Sequence, residues 1–101
     1  MTDARTDRLV WIDLEMTGLD LSRDQIVEIA AIVTDGELNE LDAGYSAVVR
    51  PTDLAILGTM EDVVVSVHTT SGLLPEIPRG MPLVEAAEEA LAYIRSHVPE
   101  V

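Results

Sequence analysis

Apolar residues form three short runs in the first half of the chain, and these runs predict three β-strands. They cover residues 8–16, 25–34 and 41–50, and β-branched and aromatic side chains are frequent in them. Runs of this length and composition are typical of buried strands. The links between the runs are short, and the second link begins with Asp-Gly at residues 35–36, a dipeptide that favours tight turns. The sequence therefore predicts an antiparallel three-stranded meander.

In the second half of the chain the apolar positions change to helical spacing. Thr59 stands three residues before Asp62, an arrangement that is typical of a capping box at the start of a helix. The β-branched run Val63–Val65 favours a strand by propensity, whereas the cap and Gly72 as a stop signal favour a helix. The sequence therefore predicts a first helix over residues 59–70.

A second helix is predicted from Pro82 onwards, because proline suits the first turn of a helix and Pro99 follows the end of the pattern. One apolar stripe runs along this helix and consists of Leu83, Ala87, Leu91, Ile94 and Val98. Residues 73–82, between the two helices, are predicted to form a loop. The resulting order of three strands and two helices is typical of the first part of an α/β domain.

The composition limits the classes of protein to which the chain can belong. Its 101 residues suffice for one small domain, which we place at residues 1–101. Cysteine is absent, which excludes disulfides and thiolate metal sites. Lys and Arg total 6 against 19 Asp and Glu, so the net charge is −13. This balance argues against binding of phosphate backbones by basic patches, and a nucleic-acid partner would need bound divalent cations.

The start of the chain carries no recognisable targeting segment. The opening residues MTDARTDR are polar and lack the apolar core of a signal peptide. No apolar run elsewhere approaches the length of a membrane span. These features predict a soluble, cytoplasmic protein.

Two acids, Asp13 and Glu15, interrupt the first apolar strand. Alternate residues of a strand share a face, so the two carboxylates project side by side from α-carbons roughly 6.5–7 Å apart. Carboxylates this close repel each other, and a hard divalent cation such as Mg²⁺ or Mn²⁺ removes the conflict. Two such ions can clamp the attacking and leaving oxygens of a phosphodiester. The alternative is a solvated strand face, which is the commoner setting of such a motif, but the apolar neighbours of the acids indicate an internal strand and strengthen the case for a metal site.

The loop after this strand begins with Thr17, Gly18 and Leu19. A glycine lets a ligand approach the backbone closely. Leu19 would then stand at the lip of the acidic pocket, where an apolar side chain could insert between two nucleobases. The alternative is that Leu19 packs on the second strand.

Three stretches of the chain carry a resemblance to a known family. The sequences LVWIDLEMTGLD, QIVEIAAIVTD and VHTTSGLL resemble, in this order, the N-terminal half of oligoribonuclease, a DEDD-family 3′-to-5′ exonuclease. The resemblance implies a ribonuclease H-like α/β fold, of which the 101 residues hold the N-terminal part without the later strands. It also implies degradation of short oligoribonucleotides, above all dinucleotides, to mononucleotides by two-metal-ion hydrolysis with Mg²⁺ or Mn²⁺.

The same resemblance implies roles for individual residues of the first motif. Asp13 and Glu15 would be the first two catalytic, metal-binding acids. Thr17 and Gly18 would offer backbone contacts at the 3′ end of the substrate. Leu19 falls where the family places its wedge between the two bases.

The third stretch adds two candidate substrate-binding residues, His68 and Ser71, near the rim of the site. The alternative for His68 is a polar residue that satisfies carbonyl groups near a helix end. The family commonly carries Trp where this chain has Val63. An aromatic platform for a base is therefore either missing or replaced by an apolar wall, unless Val63 belongs to the core.

The later motifs of the family, which bring a third acid, a final acid and a catalytic His, do not occur within the 101 residues. We therefore expect the chain by itself to be inactive and its first strand to be a bare sheet edge. Members of the family work as homodimers through regions outside these residues, so the sequence leaves the oligomeric state of this chain undecided, with a homodimer as one possibility. The alternative function is a non-catalytic metal- or nucleotide-binding fragment, or one that docks on a partner. A further alternative is a plain acidic α/β domain.

Overall fold

Three antiparallel strands form the sheet of the computed structural model, which describes residues 6–100. Strand β1 spans Leu9–Met16, β2 spans Ile26–Thr34 and β3 spans Tyr45–Val48. The central strand β2 pairs with both neighbours, so the predicted meander and its fold class are confirmed. Positions 1–5 of the polar opening segment lie outside the described residues, and so does position 101.

Strand β1 is an edge strand rather than the buried strand that its composition predicts. Within the described residues only β2 pairs with it. Trp11 is 50% exposed and Ile12 is 60% exposed, because no layer of the described chain covers them. The expectation of burial for residues 8–16 is therefore wrong, and the expectation of a bare edge is confirmed for residues 6–100.

Strand β3 is shorter than the predicted residues 41–50. The carboxylate of Asp42 accepts a hydrogen bond of 2.9 Å from the Gly44 N–H, and Gly44 has a φ of +82°. A Cβ at Gly44 would lie 2.8 Å from the Ala31 carbonyl oxygen, so only glycine fits this close approach to β2. This turn uses the residues before Tyr45, and regular pairing begins after it.

The first helix, α1, spans Asp62–Thr70 and begins later than predicted. A 3-10 helix, Leu54–Thr59, occupies the chain just before it. The Thr59 hydroxyl donates to the Ile56 carbonyl at 2.7 Å inside that 3-10 helix, so it does not cap α1 and the predicted capping box is wrong. The predicted stop is confirmed, because Gly72 follows the helix with a φ of +82°.

The second helix, α2, spans Leu83–His97 and packs on β2 and β3. Its buried residues are Ala86, Ala90 and Ile94, and the two alanines contact a cluster formed by Ile29, Ala47 and Val49. The predicted stripe is correct for Ile94 and wrong for Leu83 and Ala87, which are exposed. Alanine side chains are short enough to bring the helix close to the sheet, and this contact decides which face is buried.

The predicted loop between the helices contains a second 3-10 helix, Leu74–Arg79. Its Ile77 is fully buried and packs against Val27 and Leu73. This contact ties the segment to the start of β2 and places α1 at the same end of the sheet as the C-terminus of β1. None of the helices in residues 6–100 is long and apolar enough to cross a membrane.

Candidate functional site

The register of β1 and β2 places three acids on one face of the sheet. Asp13 pairs with Ala30, and Glu15 pairs with Glu28. Cross-strand partners project to the same side. The α2 side of β2 carries the intervening residue Ile29, so the three carboxylates lie on the side away from α2. The side-by-side placement predicted for Asp13 and Glu15 agrees with this register.

Glu28 is an acid that the sequence reasoning did not assign to the site. Burial raises the pKa of its carboxyl group, and the negative charges of Glu15 and Asp13 raise it further, while His68 acts in the opposite direction. The sequence did hold one signal that could have pointed to Glu28, because an acid stands there between Val27 and Ile29 in a predicted strand. Only the cross-strand register shows that this acid stands opposite Glu15.

His68 connects α1 to the end of β1. The register shifts between Glu15 and Met16, and the carbonyl of Met16 lies 2.8 Å from Nε2 of His68. A carbonyl oxygen only accepts, so Nε2 carries the proton. The His68 side chain is buried, and its Nδ1 has no hydrogen-bond partner among the described residues. The predicted interaction of His68 with a carbonyl is therefore present, although the carbonyl belongs to β1 rather than to a helix end.

A cavity of about 320 Å³ lies between the end of β1, the following loop and α1. It brings together four of the predicted site residues, Glu15, Gly18, Leu19 and His68. The remaining lining residues are apolar and are Leu14, Met16, Val63, Val64 and Val67. A mostly apolar cavity with one carboxylate and one imidazole suits a ligand that has flat apolar faces and a charged group.

Asp13 lies outside this cavity and lines a neighbouring depression of about 480 Å³ on the open face of the sheet. Trp11 lies beside it there, and its indole N–H donates to the Thr34 hydroxyl at 3.1 Å. The two predicted metal-binding acids therefore face adjoining concave surfaces, with Glu28 next to them on the central strand.

Leu19 is 95% exposed, so it does not pack on the second strand. Val63 is 65% exposed and Val67 is 54% exposed, and both line the cavity. The alternative that Val63 belongs to the core is therefore wrong, and an apolar wall takes the place at which the resemblance implies an aromatic residue.

Thr17 and Gly18 are held by contacts within the chain. Thr17 is 1% exposed, its N–H donates to the Gln25 carbonyl at 2.9 Å, and its hydroxyl donates to Asp24 at 2.8 Å. A Cβ at Gly18 would lie 2.4 Å from the Asp24 carboxylate. Packing against Asp24 is therefore enough to require glycine at position 18, and this requirement does not depend on a ligand.

Ser71 lies at the C-terminal end of α1, where its hydroxyl donates to the His68 carbonyl at 3.2 Å. Its side chain is exposed and does not line the cavity. Ser71 is thus close to His68 along the chain but is not brought together with Glu15 and Leu19.

The carboxylates of the acidic face are ligands of the kind that a divalent cation prefers. Within residues 6–100 no three His, Asp or Glu side chains are arranged to hold one metal ion. Asp13 and Glu15 can therefore supply two carboxylates at most, and water or a ligand phosphate would fill the other positions, as is common for Mg²⁺. Burial is the largest cause of the raised pKa of Glu28, and the negative charges of Glu15 and Asp13 raise it further, so a bound cation would offset part of this repulsion.

Residues 10–100 match a family model described as RNase_T exonuclease. An oligoribonuclease of Streptomyces griseus is 55% identical over 94 residues, which are 93% of this chain and 46% of that protein. An oligoribonuclease of Leifsonia xyli is also 55% identical over 94 residues, or 93% of this chain and 45% of that protein. One of Mycobacterium avium is 50% identical over 93 residues, or 91% and 43%. The chain spans less than half the length of these curated relatives.

Proposed function

The chain belongs to the RNase_T exonuclease family, and from this premise we propose that it forms part of a 3′-to-5′ exoribonuclease. Its substrates are short single-stranded RNAs, above all dinucleotides, which are hydrolysed to mononucleotides. The observation that carries the proposal is the pair Asp13 and Glu15 at the end of β1, next to a cavity lined by Leu19 and His68. The names and identities of the oligoribonuclease relatives support the substrate class.

Asp13 and Glu15 are the residues that would hold Mg²⁺ or Mn²⁺ through carboxylate oxygens. Such ions supply positive charge to the phosphodiester and to the attacking and leaving oxygens during hydrolysis. The chain has a net charge of −13 and would otherwise repel the substrate phosphate. Glu28 lies opposite Glu15 and adds negative charge behind the two ligands.

The apolar walls of the cavity position the bases. Leu19 projects from the loop, and Val63 and Val67 form the facing wall on α1. Aliphatic side chains of this kind contact the faces of nucleobases and exclude water from the bond that reacts. His68 lines the same cavity, where its Nε2–H donates to the Met16 carbonyl, while its buried Nδ1 has no hydrogen-bond partner among the described residues.

A second candidate is a non-catalytic fragment that binds metal or nucleotide, or docks on a partner. The observation that favours it is the absence, within residues 6–100, of a third acid arranged to complete a metal site. Two-metal hydrolysis also needs a group that orients the attacking water. A homodimer, a cytoplasmic location and a single partial domain over residues 1–101 stay predictions.

Substitution of the two acids tests the proposal. Asp13→Asn and Glu15→Gln should each weaken Mn²⁺ binding at least about tenfold, because each removes a charged ligand. Mn²⁺ binding is measured by electron paramagnetic resonance of the free ion. The matched control is Glu88→Gln, which removes a carboxylate from an exposed position of α2 and should leave binding unchanged.

Turnover of a 5′-phosphorylated RNA dinucleotide, followed by chromatography of the mononucleotides, separates the two candidates. Mn²⁺ binding together with turnover that Asp13→Asn abolishes supports the exonuclease. Mn²⁺ binding without turnover by the 101-residue chain supports the binding fragment. Mn²⁺ binding that survives both substitutions would rule out the acidic site.

A further inference from the structure

The loop between β1 and β2 carries a buried carboxylate that none of the roles above uses. The Asp24 side chain is 2% exposed, although it lies in a loop of mainly exposed residues. It points back across the loop towards β1 instead of towards solvent. Arg23 is the nearest cation, with its Nη2 atom 3.5 Å from Oδ2, and its side chain is 56% exposed.

The two carboxylate oxygens of Asp24 accept hydrogen bonds from residues on either side of Leu19 in the sequence. Oδ1 accepts a hydrogen bond of 2.8 Å from the Thr17 hydroxyl, and Oδ2 accepts one of 2.9 Å from the Asp20 N–H. The backbone closes the same loop, since the Asp24 N–H donates to the Asp20 carbonyl at 2.7 Å. One carboxylate therefore fixes the chain two residues before Leu19 and immediately after it.

Leu19 itself has no such support, because its side chain is 95% exposed. Its direction over the cavity is set only by the backbone on either side. Gly18 packs directly on the Asp24 carboxylate, so the segment from Thr17 to Asp20 follows the surface of this one side chain. An exposed side chain that must meet a ligand is positioned best by a rigid backbone beneath it.

We infer that Asp24 is a positioning residue, which holds Leu19 over the cavity that contains Glu15 and His68. The inference rests on the proposed function, because it gives Leu19 a ligand to meet. Asp24 acts through the loop and contacts neither the metal-binding acids nor the cavity wall on α1.

A double-mutant cycle distinguishes this role from a general contribution to folding. Asp24→Ala removes both hydrogen bonds and should weaken binding of a 5′-phosphorylated RNA dinucleotide about tenfold, within the range of coupling seen in one hydrogen-bonded network. The same substitution in a Leu19→Ala background should change binding less than about twofold, because the positioned side chain is already gone. Binding is measured in Ca²⁺ by fluorescence anisotropy of a labelled dinucleotide.

Two further variants complete the design. Asp24→Asn keeps the shape, with its oxygen facing the Asp20 N–H and its amide donating to the Thr17 hydroxyl, and should restore most of the binding. Asp35→Ala is the matched control, because Asp35 is also buried and accepts the N–H groups of Glu37 and Asn39 in a turn distant from the cavity. It should leave dinucleotide binding unchanged. If Asp24→Ala does not fold, Asp24→Ser enters the cycle in its place.

The backbone amides of the loop supply a readout that needs no ligand. Nitrogen-15 relaxation of Leu19 and Asp20 should show increased motion in Asp24→Ala and motion close to the wild type in Asp24→Asn. Equal losses of binding in the wild-type and Leu19→Ala backgrounds, or unchanged amide motion, would overturn the inference alone. A wild-type chain that binds no dinucleotide would overturn the proposed function and, with it, this inference.

Discussion

At the scale of single residues, the loop after β1 depends on the close packing of Gly18 against Asp24. The space that a side chain at position 18 would need is filled by a buried carboxylate. The Asp20 N–H and the Thr17 hydroxyl hold the pKa of Asp24 below its ordinary value, so the carboxylate stays charged and keeps both hydrogen bonds. Glycine is therefore required here by the protein's own packing.

Gly18→Ala tests this packing. The new Cβ would lie 2.4 Å from the Asp24 carboxylate, so either the carboxylate or the loop must move. We expect a loss of about 1–3 kcal/mol in the free energy of unfolding, which is typical of overpacking. Urea denaturation followed by circular dichroism measures it.

The control for this substitution is Gly58→Ala, where a Cβ would meet nothing within 4 Å. It should change the free energy of unfolding by less than about 1 kcal/mol, with a small gain from the lower entropy of the unfolded chain. Equal effects at positions 18 and 58 would show that the contact with Asp24 does not limit the loop.

At the scale of elements, a polar cluster at the end of α2 holds this helix to the sheet. The Tyr93 hydroxyl accepts from the Val33 N–H at 2.9 Å and donates to Asp42 at 2.9 Å. Nε2 of His97 lies 2.8 Å from the other oxygen of Asp42. The hydrogen bond with His97 is the largest cause of a lowered pKa of Asp42, followed by those from Gly44 and Tyr93.

This cluster predicts a pH-dependent contribution of Asp42 to stability. A carboxyl group whose pKa is lower in the folded state stabilises the protein fully above its ordinary pKa of 3.8, and this contribution is lost as the pH falls through the folded-state value. The difference in free energy of unfolding between wild type and Asp42→Asn should therefore be larger at about pH 6 than at about pH 3. Urea denaturation at both pH values measures it.

The control lies on the same helix. Ser96→Ala changes a side chain that does not titrate, and its effect on the free energy of unfolding should be the same at both pH values. A difference for Asp42→Asn that does not change with pH would mean that the cluster acts by shape alone.

At the scale of the whole molecule, the described chain is elongated, with extents of 51 × 24 × 24 Å. Its radius of gyration is 15.7 Å, compared with about 13 Å for a compact domain of 100 residues. Helix α2 packs against β2 and β3, whereas β1 lies at the edge of the sheet with apolar side chains exposed. A free edge of this kind is a template for pairing with another strand.

We expect the chain to associate through β1 at high ionic strength, where salt screens its net charge of −13. Ile12→Lys should reduce this association, because a charged side chain on an edge strand opposes pairing. Sedimentation velocity over a range of concentrations measures it. The control Val84→Lys replaces a valine that is 68% exposed on α2, and it should leave the association unchanged. Equal effects of the two lysines would point to net charge instead of the edge.

Several features follow from local sequence alone, because their physical causes act between near neighbours. Alternation along β1 places Asp13 and Glu15 on one face, whatever covers the strand. The apolar run of β2 and the proline at the start of α2 likewise predict these elements close to their observed bounds. Three stretches of the sequence, taken in order, were also sufficient to indicate the exonuclease family, which the match over residues 10–100 confirms.

Other features were decided only by the tertiary structure, because they depend on which segments meet. The face of α2 that is buried follows from how closely Ala86 and Ala90 approach the sheet, and helical spacing does not determine this distance. The place of Glu28 opposite Glu15 requires the strand register. The role of Asp24 requires a loop that folds back on itself, since the residues that it binds have no distinctive pattern in the sequence. Local periodicity thus determined the elements and the first two acids, while long-range contacts determined the surroundings in which they act.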